Sequence, residues 1–222
     1  MNVELVQADS GKRLDLVNPR LVVAGYTGRD PAAVARHIEE LAGIGVPPPP
    51  RVPAFFELDP QLLTTAAVIE VGAPNTSGEV EPVLIRHENR YYLGLGSDHT
   101  DRDLERDDVA AAKAVCPKPL CRSVIALPGV VTSLDWDTYT VAAQADGLEY
   151  QHDRLSALRR PSDLLDRLRD ASGDRGGDLV LYAGTVPLLT GHFLARTHWH
   201  LSLAVPASTT LTHSYEVTRR FT

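Results

Sequence analysis

Two glutamates one residue apart, Glu79 and Glu81 in Thr76-Ser77-Gly78-Glu79-Val80-Glu81, form the densest acidic pattern of the chain. On a strand, residues two apart face the same side, so both carboxylates project from one sheet face. Adjacent anions are unfavourable unless a cation or a bound proton compensates them, so the pattern reads either as a divalent-metal site or as a solvated strand face. The run Gly96-Ser97-Asp98-His99-Thr100-Asp101-Arg102-Asp103-Leu104-Glu105 adds a third carboxylate at Asp98 and an arginine at Arg102. If a helix starts there, Asp98, Arg102 and Glu105 share a face at i, i+4 and i+7. Asp98 is then either a helix N-cap or part of a site that holds a cation beside an anionic oxygen substrate.

His37 and Glu40 stand at i and i+3. The spacing suits a surface pair, and equally a carboxylate that orients an imidazole for taking a proton from water. Gly184-Thr185-Val186-Pro187 follows an apolar run, so backbone N–H groups and a hydroxyl lie at a strand end. They can bind a carboxylate there, or simply form the exit turn. His198-Trp199-His200 puts two imidazoles on one sheet face, but with no carboxylate or thiol nearby in sequence a structural reading is favoured over a zinc or iron site. Cys116 and Cys121, around Pro117 and Pro119, read as two small, partly buried thiols.

The elements that must position these groups are short. Residues up to Thr27 alternate apolar and polar as strands do, ending in Leu21-Val22-Val23-Ala24. Asp30 as N-cap and Pro31 predict a helix over Ala32 to Leu41, ended by Gly43 and Gly45. The prolines from Pro47 to Pro50 predict an extended connector. Residues 67–71, 79–85 and 90–95 are β-prone, with a turn at Glu88-Asn89. A second helix is expected over Arg102 to Val115, stopped by Pro117, and a third after Pro161-Ser162-Asp163, with Leu164, Leu165 and Leu168 on one face. Strands follow at Leu179 to Ala183, Trp199 to Val205 and Ser214 to Val217. Many short strands with three helices read as a sheet-dominated α+β fold.

With 222 residues, 43% hydrophobic and 23% charged, the chain carries enough apolar surface to order itself. No repeat and no Pro/Gly-rich linker divides it, so a single domain over 1–222 is expected. Lys+Arg 22 against Asp+Glu 29 gives a net charge of −7, which argues against a nucleic-acid partner. The apolar runs fall well short of the roughly 20 residues of a membrane span, and no basic segment leads into an apolar one at the start. A soluble, cytoplasmic protein without a membrane partner is expected.

In chain order, five of these pieces resemble the fumarylacetoacetate hydrolase superfamily, and within it a bacterial branch known as a domain of unknown function. They are His37-Ile38-Glu39-Glu40-Leu41, Thr76 to Glu81, Gly96 to Glu105, Cys116-Pro117-Lys118-Pro119 and Gly184-Thr185-Val186-Pro187, and the resemblance covers about residues 21 to 200. It implies a mixed β-sandwich or roll with a few flanking helices, short strands over 1–30 and a lid-like helix over 31–45. It also implies that Glu79, Glu81 and Asp98 hold Mg²⁺ or Mn²⁺, with Ca²⁺ a further candidate. His37 and Glu40 match the water-activating dyad; Arg102, Lys113, Gly184 and Thr185 match substrate contacts, and Lys113 also a catalytic group. Two departures stand out: a hairpin replaces the usual helix before Asp98, and Glu105 replaces a common glutamine. The implied activity is metal-dependent hydrolysis or lysis of a carbon–carbon bond in a small 1,3-dicarbonyl or α-keto acid, through a metal-stabilised enolate. Decarboxylation of a β-keto acid, keto–enol isomerisation and non-catalytic oxoacid binding are the alternatives. A small oxoacid substrate and a homodimer are the expected partners.

Overall fold

A computed structural model describes residues 1–43, 46–129, 134–206 and 209–220, with the side chains of His37 and Leu41 outside the described set. Strands β1 (Asn2–Gln7), β2 (Arg13–Val17) and β3 (Arg20–Gly25) precede helix α1 (Pro31–Gly43). Next come β4 (Ala54–Leu58), β5 (Leu63–Thr64), β6 (Val68–Val71), β7 (Thr76–Ser77), β8 (Val80–His87), β9 (Arg90–Ser97) and β10 (Thr100–Asp101). Helix α2 (Val109–Ala114) leads into β11 (Lys118–Pro119), β12 (Ser123–Ala126), β13 (Thr140–Ala145) and β14 (Leu148–Arg154). Helix α3 (Pro161–Ser172), β15 (Leu179–Tyr182), β16 (His198–Ala204) and β17 (Leu211–Arg219) follow. The fold is the sheet-dominated α+β class expected from the sequence.

Eight strands form one sheet in the order β2-β1-β12-β9-β8-β15-β3-β4, and five form another in the order β14-β13-β16-β17-β6. The central strands of the large sheet are buried on both faces, which is why they read as unbroken apolar runs. Their alternate residues enter different cores. Leu21, Val23, Val83, Ile85, Val180 and Tyr182 line the inner side of the curled sheet with Leu5, Leu14 and Leu16. Val22, Ala24, Leu84, Leu179 and Leu181 pack towards the second sheet, against Val141, Tyr150, Trp199, Leu201 and α3 residues Leu164 and Leu168. The β8–β9 hairpin turns on Glu88 and Asn89, both at positive φ (48° and 58°), the backbone a two-residue hairpin requires.

Two expectations change, and one strand is added. The helix expected over Arg102 to Val115 is split: a 3₁₀ turn spans Leu104–Arg106, and α2 begins only after Asp108, whose carboxylate caps the Ala111 N–H. Asp98 therefore caps no helix and lies between β9 and β10, while Asp101 accepts from the Asp103 and Leu104 N–H groups. The chain beyond the prolines returns to the sheet as β4, pairing antiparallel with β3. Gly45, expected to help end the first helix, lies outside the described residues. Among the described residues no helix is long and apolar enough to cross a membrane.

Candidate active site

The β8–β9 hairpin brings the start of one strand beside the end of the other. Val80 pairs with Ser97, and the Asp98 N–H donates to the Glu79 carbonyl at 3.0 Å. Strand β15 runs along the other side of β8, with Tyr182 opposite Val83 and the Ala183 N–H on the Pro82 carbonyl. Gly184 thus arrives beside Glu81, and its N–H donates to the Glu81 carboxylate at 2.7 Å. Gly184 has φ +96°, and a Cβ on it would lie 1.7 Å from the Thr27 hydroxyl oxygen, so the turn needs glycine on both counts. Gly78 has a similar constraint: a Cβ there would meet the Tyr215 hydroxyl at 2.3 Å and the Ser97 hydroxyl at 2.5 Å.

Glu81 shares the parity of Val83 and Ile85 and points to the inner side of the curl, where it is buried. Burial, and next the charge of Asp98, push its pKa well above the ordinary carboxylate value. Among the described residues it accepts a hydrogen bond from Gly184 and from no side-chain cation. Asp98 is the opposite case. Burial alone would raise its pKa, but Lys113 and Lys118 outweigh that and hold it well below the usual range. Lys113 Nζ pairs with Oδ2 and Lys118 Nζ with Oδ1, the latter at 3.1 Å. Lys118 also donates to the carbonyls of His99 (2.6 Å) and Cys116 (3.2 Å), so three acceptors surround an ammonium that has three protons. Tyr182, donating to the carbonyls of Lys118 and Pro119, holds that stretch of backbone in place.

Arg102 reaches the cluster from the other side. Its Nε donates to the Ser77 hydroxyl at 2.6 Å, one terminal nitrogen to Glu105 at 2.7 Å, and the other to Glu79 at 3.0 Å. Burial opposes its charge, yet Glu79 and Glu105 raise its pKa; Lys113 is likewise raised against its burial, by Asp98 before Glu105. The Arg102 guanidinium carbon lies over the Phe193 ring, 3.6 Å from its centre, and the Phe56 ring centre is 5.8 Å from Lys113 Nζ. Tyr26, at φ +57° just beyond β3, places its phenol near Glu105 and Lys113, and burial raises its pKa.

The structure therefore gathers Glu79, Glu81, Asp98, Arg102, Lys113, Gly184 and Thr185 into one place. The Thr185 hydroxyl donates to the Val80 carbonyl at 2.8 Å and accepts from Gln151, so here it ties strands together. His37 and Glu40 lie on α1, which follows β3 closely in the chain. The Glu40 side chain is exposed, and that of His37 falls outside the described residues. Sequence reasoning gave no role to Lys118, Gln151 or Tyr26. Lys118 had a signal, the motif Cys116-Pro117-Lys118-Pro119, but nothing in that motif shows that the lysine turns inward. Buried His99 links Thr76 (2.9 Å) and Tyr215 (3.1 Å), and Tyr215 continues to Ser97 (2.9 Å). Burial, then Lys118 and Arg102, lower the His99 pKa to about 3, so its imidazole is neutral. His198 and His200 stand on the exposed face of the second sheet, by Asp146 and Ser214 respectively. Both thiols are free and buried, and burial pushes Cys116 up to about 11.

The donor set fits a hard divalent cation: three carboxylates and no thiolate. Glu81, buried near Asp98 and in no ion pair among the described residues, is the group such an ion would relieve. The lysines and Arg102 now hold the other two carboxylates, and among the described residues no three His, Cys, Asp or Glu side chains form a ready cage. An ion would have to displace ammonium and guanidinium contacts.

No curated protein sequence matches the chain. Solved structures do. A protein from Oleispira antarctica, described as a candidate fumarylacetoacetate isomerase/hydrolase, aligns with TM-score 0.68 at 16% identity over 97% of this chain and 100% of its own. The fumarylpyruvate hydrolase from Pseudomonas aeruginosa, solved with Mn²⁺ and pyruvate, gives 0.66 at 18% over 99% and 97%. The 5-carboxymethyl-2-hydroxymuconate delta-isomerase from Mycobacterium smegmatis gives 0.62 at 19% over 96% and 85%. At these identities the likeness establishes a fumarylacetoacetate hydrolase-like fold. A family model for proteins of unknown function, DUF2848, matches residues 24–215, and the chain belongs to that family.

Proposed function

We propose that the protein is a divalent-metal-dependent hydrolase that cleaves a carbon–carbon bond in a small 1,3-dicarbonyl or α-keto acid. The observation that carries this reading is the convergence of Glu79, Glu81 and Asp98 with Arg102 and Lys113 around the Gly184 turn. Support also comes from the neighbours of like fold, one of which was solved with Mn²⁺ and pyruvate. Glu79, Glu81 and Asp98 would hold Mg²⁺ or Mn²⁺, which supplies positive charge for two substrate oxygens and for the charge that builds as the bond breaks. Arg102 and Lys113 orient the anionic end of the substrate and lower the cost of that charge. The Gly184 turn and Thr185 fix the floor against which the substrate lies. His37, oriented by Glu40 on α1, takes a proton from the attacking water.

The test is a screen of acylpyruvates and oxaloacetate with titrated Mg²⁺ and Mn²⁺. Acylpyruvate hydrolysis that depends on metal and vanishes in His37→Ala is the expected outcome. Turnover of oxaloacetate, or tautomerisation that survives His37→Ala, points instead to decarboxylation or isomerisation. Thermal stabilisation by metal and oxoacid without any turnover would make the protein a binder.

A further inference from the structure

Every cation of the site is already engaged by the protein's own carboxylates. Arg102 spans Ser77, Glu79 and Glu105, with its face covered by Phe193. Lys113 is on Asp98, and so is Lys118. Four carboxyl groups, Glu79, Glu81, Asp98 and Glu105, thus face three cations among the described residues. A divalent ion entering this cluster leaves it with an excess of positive charge, whether or not Glu81 carries a proton. It also takes carboxylates away from Arg102 and Lys113, leaving their donors unmatched in a largely buried place.

The two lysines differ in what else holds them. Lys113, beside Phe56, has Asp98 as its one hydrogen-bond partner among the described residues, so it can turn to another anion. Lys118 is fully buried and bound to two backbone carbonyls as well as Asp98. It cannot leave. We infer that Lys118 is a fixed counter-cation on Asp98 that weakens binding of the metal alone, so that the metal and a chelating oxoacid dianion load the site together. The dianion supplies the charge that Arg102 and Lys113 lose when the metal takes their carboxylates. Lys118 is a positioning residue in this scheme, acting through Asp98.

The inference rests on the metal-dependent reading above. Its test measures Mn²⁺ binding directly, from the free Mn²⁺ signal in electron paramagnetic resonance, with and without oxalate and corrected for Mn²⁺–oxalate association in solution. The wild-type protein is expected to bind Mn²⁺ at least tenfold more tightly with saturating oxalate. Lys118→Met is expected to bind Mn²⁺ at least tenfold more tightly than wild type without oxalate, and to gain less from it. Loss of a merely structural lysine would weaken the metal instead, and that result overturns the inference. So does an absence of oxalate gain in the wild type, which decides the matter even if Lys118→Met does not fold. Mn²⁺ that binds but ignores both oxalate and Lys118→Met overturns this inference alone. Mn²⁺ that fails to bind under any condition removes the metal reading beneath it as well.

Discussion

The cluster around Asp98 and the row of polar side chains on the outer face of the second sheet contain the same kinds of residue. In the first, Asp98, Glu81, Arg102, Lys113 and Lys118 are all buried. In the second, His198 lies 3.3 Å from Asp146 and 4.0 Å from Glu216, each side chain about 40% exposed or more. Water screens the outer set, so its geometry matters little to stability. The inner set has lost its water, and each charge depends on the next. Residue type alone therefore does not make a site; the hairpin and the Gly184 turn do, by taking these groups out of solvent together.

The sharpest way to break this contrast is Asp98→Asn, which leaves two buried lysines facing a neutral amide. In metal-free protein it should cost about 3–5 kcal/mol in urea unfolding. Gly184→Ala comes next. It forces an alanine to φ +96° and into Thr27, with the backbone strain alone worth roughly 1–3 kcal/mol, and is read as a fall in melting temperature. A cost near zero would mean the turn is looser than it looks.

The third concerns pH. His99 titrates near 6.5 when unfolded and at about 3 when folded, so as pH falls the unfolded chain takes up the proton first. Its contribution is whole above pH 6.5 and is lost as pH drops towards 3, at up to about 1.4 kcal/mol per pH unit. Glu81 acts in the opposite sense, its stabilisation fading as pH rises through its raised pKa. Comparing wild type with His99→Asn isolates the histidine, and the variant should show the flatter acid slope. At the small end of the same contrast, Glu216→Gln on the outer row should change unfolding by no more than about 0.5 kcal/mol.

Much of the scaffold could be read from local pattern. The apolar runs at β3, β8 and β15 and the leucine stripe of α3 signal burial in their own spacing. The parallel pairings of β1 with β12 and β3 with β15 do not, because they join segments far apart in the chain. Strand β4 was hidden behind four prolines. At the site, Glu79, Glu81 and Asp98 stand out in the sequence as acidic positions, and the hairpin brings their chain segments together. Lys118 does not stand out, since a lysine between two prolines looks like a solvated turn until Tyr182 is seen fixing its backbone. Gln151 was equally silent, as its importance lies in reach across two sheets.

That reach has a consequence. From β14, Gln151 accepts from the Val80 N–H at 2.9 Å and donates to Thr185 and to the Val186 carbonyl, bracing the start of β8 against the Gly184 turn. A carboxamide offers the same donors and acceptors from acid to alkali. The strut is therefore indifferent to who carries charge around it, and it ties β8 to the Gly184 turn whichever neighbouring groups are protonated.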